Sequence, residues 1–433
     1  MRLHVAAVLA ALAAAALPAP LRAQTTLSVY ASVGDSLAAG ASNASLVETH
    51  QRTSVPALIA RQAQVAGFEL PLVGEPGIPS ELALVTLVPV PTIAPKAPDQ
   101  MGLPLNPSLP RPYNNLAVPS ATVQDALVTQ SGGFHDVVLR GQGSQVAQAV
   151  ALAPTFVTLW IGNNDVLGAV VRGSAVDGVT LTPVASFRSA YEQVVATLRA
   201  TGAFMIAANL PDVTAIPFAT TVRPVVTDPL TGAPILVNGQ TVPLVGTKGP
   251  LPTGSLVTIA ATAYLAEGIG IPAAQGGTDL PLPDDVVLDP AEVAAIRDRV
   301  NALNQVIGEI CQAASVPVLD VHALLEEITT RGREVGGVRL DEDFLTGGIF
   351  SYDGVHLTDL GYAVVANEWI AMINANGGHV PLVDLAPFLG LAAQGQGARA
   401  ASVAGGTGAA ARVRLDPRAY AALLKVFPRL DAR

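Results

Sequence analysis

The chain has 433 residues, half of them hydrophobic, with 24 basic and 34 acidic side chains for a formal net charge of -10. That length accommodates one large domain or two ordinary ones, and the acidic balance argues against binding nucleic acid by phosphate neutralisation. A single cysteine, Cys311, excludes a disulfide within the chain, and its setting between Ile307 and Ile310 reads as a small buried hydrophobe.

The N-terminus opens with Arg2 and His4, then an apolar run Val5–Ala16, then Pro18, Pro20 and Ala23. This is the pattern of a cleaved export signal, residues 1–23, and it predicts a periplasmic or secreted protein. The run of about 12 apolar residues is too short to span a bilayer. From residue 24 to 389 short apolar runs alternate with helical patterns, as in a parallel sheet covered on both faces. Leu27–Val33 is predicted as the first strand, Val55–Ala66 as a helix and Phe68–Val73 as a second strand. Thr155–Ile161 and Phe204–Asn209 are further strands, with a helix at Val184–Ala200 between them. A long helix is predicted at Pro290–Ala314, with Asp289 as N-cap and Pro290 in the first turn. Val316–Leu319 is the last core strand, and Thr358–Ile373 closes the domain as a helix.

Two stretches break the alternation: about 75–112, rich in proline and aliphatics, and about 217–285, rich in Val, Pro, Gly and Thr. Their length marks them as insertions, either walls or lid of a pocket or structural decoration. Residues 390–433 comprise an Ala/Gly-rich linker (Gln394–Ala411) and a short basic helix opened by Asp416-Pro417 and running to Phe427. That helix either docks on its own domain or touches an anionic membrane surface.

Three polar runs carry chemistry. Gly34-Asp35-Ser36-Leu37 follows the first strand, where a strand end presents a side chain to a crevice; taken alone, Ser36 reads equally as a helix N-cap. Asp353-Gly354-Val355-His356 places a carboxylate three residues before an imidazole. The carboxylate can accept a hydrogen bond from Nδ1–H and leave the other nitrogen free to accept a serine proton; the alternative is a solvated surface turn. Gly162-Asn163-Asn164-Asp165 follows another strand and offers side-chain N–H donors for a developing oxyanion, or else a β-turn.

The three runs occur in the order of one family. The chain resembles the SGNH/GDSL hydrolases over residues 25 to about 375. The resemblance implies a flavodoxin-like three-layer α/β/α sandwich with a parallel central sheet, here carrying the two long insertions. It implies Ser36 as nucleophile, Asp353 and His356 as its triad partners, and Asn164 as the side-chain donor of the oxyanion hole. Asn115–Thr122 is similar to a fourth family block, with Ser120 where the family usually has glycine; its backbone N–H joins that of Ser36 in the oxyanion hole. Gly tolerates backbone conformations that Ser does not, so the local geometry at Ser120 is in question. The resemblance also implies ester hydrolysis with no metal. The remaining histidines show no metal-ligand spacing, His322 reads as structural, and no cofactor is expected. No Gly-x-Ser-x-Gly elbow is present, which argues against the α/β-hydrolase fold.

The resulting expectation is an exported serine esterase acting on small-molecule or lipid esters, acyl or aryl. The alternatives are a carbohydrate deacetylase or acyltransferase on the same fold, or an exported binding protein that has lost turnover.

Overall fold

The computed structural model describes residues 26–86, 90–229, 231–389 and 413–427. The predicted export signal and the Ala/Gly-rich stretch Gln394–Ala411 lie outside the described residues. The architecture is mixed α/β around a parallel sheet. Its strands are β1 (Tyr30–Gly34), β4 (Phe156–Trp160), β5 (Phe204–Ala208) and β6 (Val318–Leu319), in that spatial order. Tyr30 pairs with Phe156, Phe156 with Phe204, and Val318 with Ala207. Residues of β1 and β4 are buried throughout. Strands buried on both faces read as continuous apolar runs, which is why these were visible in the sequence.

Two groups of helices cover the sheet. In one, α3 (Val123–Val128), α4 (Gln145–Ala151), α6 (Val184–Arg199) and α7 (Pro290–Ala313) pack together; in the other, α1 (Ser36–Ala39), α2 (Val55–Gln62) and α9 (Asp359–Ala375) do. The start of α7 is fixed as its sequence suggested. Asp289 accepts from the backbone N–H groups of Ala291 and Glu292, and Glu292 returns a bond to the Asp289 N–H. Cys311 is buried beside Tyr191.

The expected strand at Phe68–Val73 is absent. Its segment contains Pro71, which cannot donate to a ladder, and it bonds instead to the first insertion, with Leu105 N–H donating to Leu72 O. The free edge of β1 is taken by residues 114–118. Ser32 N–H donates to Asn114 O, Leu116 N–H to Ser32 O and Val118 N–H to Gly34 O. The segment that resembled a family block is therefore itself the edge of the sheet.

The first insertion folds as an antiparallel pair, β2 (Leu82–Thr86) and β3 (Thr92–Pro95). A distant strand, β7 (Arg414–Leu415), adds to β3 in parallel. The second contains two-residue strands such as Leu236–Val237 with Gln240–Thr241. After β7, helix α10 (Pro417–Val426) buries Ala419, Ala422, Leu423 and Val426 on one face against the protein. Helices α5 (Asn164–Val171) and α8 (Val321–Arg331) complete the frame used below. No described helix is long and apolar enough to cross a membrane.

Candidate active site

Two of the polar runs sit at the C-terminal edge of the parallel sheet, where open α/β sheets hold ligands. β1 runs directly into Asp35 and Ser36, and β4 into Gly162–Asn164. Gly34 is required by close packing: a Cβ there would stand 2.6 Å from both Trp160 O and Ala38 Cβ. Asp35, not Ser36, is the N-cap of α1, accepting from Leu37 N–H at 3.1 Å. The Ser36 hydroxyl is thus not spent on capping, which removes the structural reading of that serine.

Buried hydrogen bonds tie the runs to one another. Asp35 Oδ2 accepts from Asn163 Nδ2 at 2.8 Å, joining the β1 turn to the β4 turn. Asn164 Nδ2 donates to Ala121 O at 3.0 Å, and Val123 N–H donates to Asp165 Oδ2 at 3.0 Å. Asn115 Nδ2 donates to Ala38 O at 2.9 Å, closing the ring back onto α1. An amide NH2 has two donors, so the bond to Ala121 orients Asn164 and leaves its second N–H unspent. Ser120 lies between these clamps with φ 67°, in the left-handed region. This is the conformation that glycine adopts freely and serine adopts at a cost.

The Asp353–His356 segment meets the loop after α1, residues 41–44, from the far end of the chain. Asp353 Oδ2 accepts the backbone N–H of Ala44, Asn43 N–H donates to Ser351 Oγ at 3.0 Å, and Tyr362 Oη donates to Ala41 O at 2.5 Å. Leu37 forms one part, and Val355 and Leu357 another, of the wall of a single apolar cavity of about 60 Å³. The second insertion supports the same segment, with Phe218 N–H donating to Gly354 O at 2.9 Å. Gly354 has φ 68°, and a Cβ there would stand 2.8 Å from Phe218 N.

Within the segment, His356 Nδ1 and Asp353 Oδ2 are 2.7 Å apart, both side chains fully buried. Asp353 Oδ1 also accepts the backbone N–H groups of Val355 and His356 at 2.8 and 2.7 Å. Burial alone would raise the Asp353 carboxyl, but the His356 charge and these N–H donors outweigh it and hold it at about 2. An ionised carboxylate at Nδ1 makes that nitrogen the proton carrier. Nε2 is then the basic atom; it is buried and has no hydrogen-bond partner among the described residues. Ser36, 3% exposed, is therefore not hydrogen-bonded to it in this structure.

Burial also raises two carboxyls that flank the proposed machinery. Asp35 rises to about 6, with the bond from Asn163 working against the rise, and Asp165 to about 7, offset in part by the Val123 N–H.

A model of the GDSL-like lipase/acylhydrolase family matches residues 30–369. The chain belongs to that family. Its members' chemistry makes it an esterase- or lipase-type hydrolase. Among solved structures it is similar to a lipase/acylhydrolase from Enterococcus faecalis, at 14% identity over 63% of this chain and 78% of that one, with a TM-score of 0.28. It is also similar to a putative acylhydrolase from Bacteroides fragilis, at 12% identity over 61% and 74% of the two chains, with a TM-score of 0.26. Among curated proteins, none matches significantly.

One feature of the site had no sequence signal. The ring of Phe427, at the end of α10, lies flat on the His356 imidazole, with centroids 5.3 Å apart and planes 12° apart. The Asp35–Asn163 bond was likewise missed, although both residues stood inside the family's motifs. His322 takes the structural role expected of it, with Nδ1 3.1 Å from Leu210 O. No group of three or more His, Cys, Asp or Glu side chains suited to a metal occurs among the described residues.

Proposed function

We propose that this chain is an exported serine esterase that hydrolyses acyl or aryl esters through an acyl-enzyme. His356 Nε2 removes the Ser36 proton as the hydroxyl oxygen attacks the ester carbonyl. The new oxyanion is held by the backbone N–H groups of Ser36 and Ser120 and by Asn164 Nδ2. Collapse of the adduct expels the alcohol, which takes the proton from His356. Water, deprotonated by His356, then attacks the acyl group, and the Ser36 oxygen leaves and takes that proton back from His356. Asp353 holds the imidazole in its Nδ1–H tautomer and offsets the charge it gains.

The observation that carries this reading is the buried His356–Asp353 pair, with an unpartnered Nε2, in a segment bonded to the turn after Ser36. The Ser36–Nε2 bond forms as substrate seats, since catalytic hydrogen bonds often tighten only in the complex. Export rests on the sequence of residues 1–23. Turnover of chromogenic esters of graded chain length, by wild type and Ser36→Ala, is the test. Loss of turnover in Ser36→Ala is expected; equal rates would instead favour an exported binding protein. Release of acetate from acetylated sugars, without turnover of simple esters, would favour a deacetylase.

A further inference from the structure

We propose that the C-terminal segment Val413–Phe427 is an autoinhibitory strap that shields the catalytic histidine, so that ester hydrolysis requires it to lift. The proposal rests on the esterase reading. A general base must be reached by both serine and substrate, yet His356 is fully buried and Phe427 is only 2% exposed. The Phe427 ring stacks near-parallel against the imidazole, its centroid 5.3 Å away. Nothing in a Ser-His-Asp mechanism needs an apolar ring there.

The strap is held by few polar bonds. Arg172 Nη2 donates to Phe427 O at 2.8 Å, and Tyr420 Oη donates to Val171 O at 3.0 Å. Leu415 N–H donates to Thr262 Oγ1 at 3.0 Å, and β7 adds two residues to the edge of β3. Its anchors are the two insertions and the end of α5, the helix that begins at Asn164; it adds no strand to the central sheet. The sheet and the triad segment can therefore stay intact when the strap leaves. Both insertions thus help to dock a segment that closes the site. The alternation of α10 fits this, with an apolar face at Ala419, Ala422, Leu423 and Val426 turned inward and Arg418 and Lys425 exposed.

The test uses the full chain with Phe427→Ala, which removes the ring, and Leu423→Asp, which undocks the helix face. Arg418→Ala, on the exposed side, is the control. Two rates are read: kcat/KM on p-nitrophenyl acetate and butyrate, and covalent labelling of Ser36 by a p-nitrophenyl alkylphosphonate. If the closed form is nine-tenths or more of the population, both rates rise about tenfold or more in the two variants, with Arg418→Ala unchanged. Rates unchanged or lowered in variants with wild-type circular dichroism would overturn the strap and make Phe427 a wall of the site or plain core. Should Leu423→Asp not fold, Phe427→Ala decides alone. Wild type that labels and turns over at the rate of Phe427→Ala sinks only the strap. Failure of every protein to label or turn over sinks the esterase reading and the strap with it.

Discussion

Ser120→Gly tests both the placement of the oxyanion hole and the physical cost of the residue found there. Ser120 is held at φ 67°, where an L-residue costs roughly 1–2 kcal/mol. Glycine removes that cost but loses more freedom on folding, roughly 0.5–1 kcal/mol. The difference leaves Ser120→Gly more stable by about 0.5–1 kcal/mol, which for a chain of this size is about 0.5–1 °C in Tm. The backbone N–H is unchanged, and the flanking clamps from Asn164 to Ala121 and from Val123 to Asp165 do not involve the Ser120 side chain. Activity should therefore hold or rise. Ser120→Ala serves as the control, keeping both the strain and the N–H. Thermal unfolding followed by circular dichroism and kcat/KM on a chromogenic ester are the measurements. A loss of roughly hundredfold, the scale of one missing oxyanion donor, would show that residues 115–122 do not build the hole as argued.

Asn164→Ala removes a side-chain donor and should lower kcat by about 10²–10³ with little change in KM; a change confined to KM would refute the oxyanion role. Gly34→Ala drives a methyl group into Trp160 O and Ala38, both 2.6 Å away, and should cost about 1–3 kcal/mol by overpacking; an unchanged denaturation midpoint would contradict the packing. The cluster of His50, Glu81 and Asp359 predicts a pH-dependent stability. Burial lowers His50, but bonds to Asp359 at 2.8 Å and Glu81 at 3.3 Å outweigh it and raise the imidazole to about 10. Its contribution is whole below the ordinary value of 6.5 and is lost as pH climbs through about 10. Burial pushes Glu81 up, while His50 and Lys96 bring it down to about 2, so its share is present above 4.5 and lost as pH falls through about 2. The stability difference between wild type and His50→Ala should shrink steadily from pH 6.5 to 10 in urea titrations; a constant difference would show that charge is not what joins these elements.

Much of this protein was legible from local pattern. Strands β1, β4 and β5 are predominantly apolar runs because both faces of a parallel sheet are covered. The Asp353–His356 pair was legible because three residues of chain suffice to turn a carboxylate back onto Nδ1, a geometry that needs no distant partner. The start of α7 was written in Asp289 and Pro290 for the same reason. Only the tertiary structure could decide what depends on separated segments. The free edge of β1 went to residues 114–118 and not to Phe68–Val73, since backbone pairing has no side-chain signature beyond Pro71. The Ala44–Asp353 bond spans 309 positions, and no spacing rule reports loop closure at that distance. Phe427 is one apolar residue at the end of a short helix, and nothing about its neighbours marks it. Its place on His356 follows from the docking of β7 and α10 on surfaces that exist only once the domain has folded.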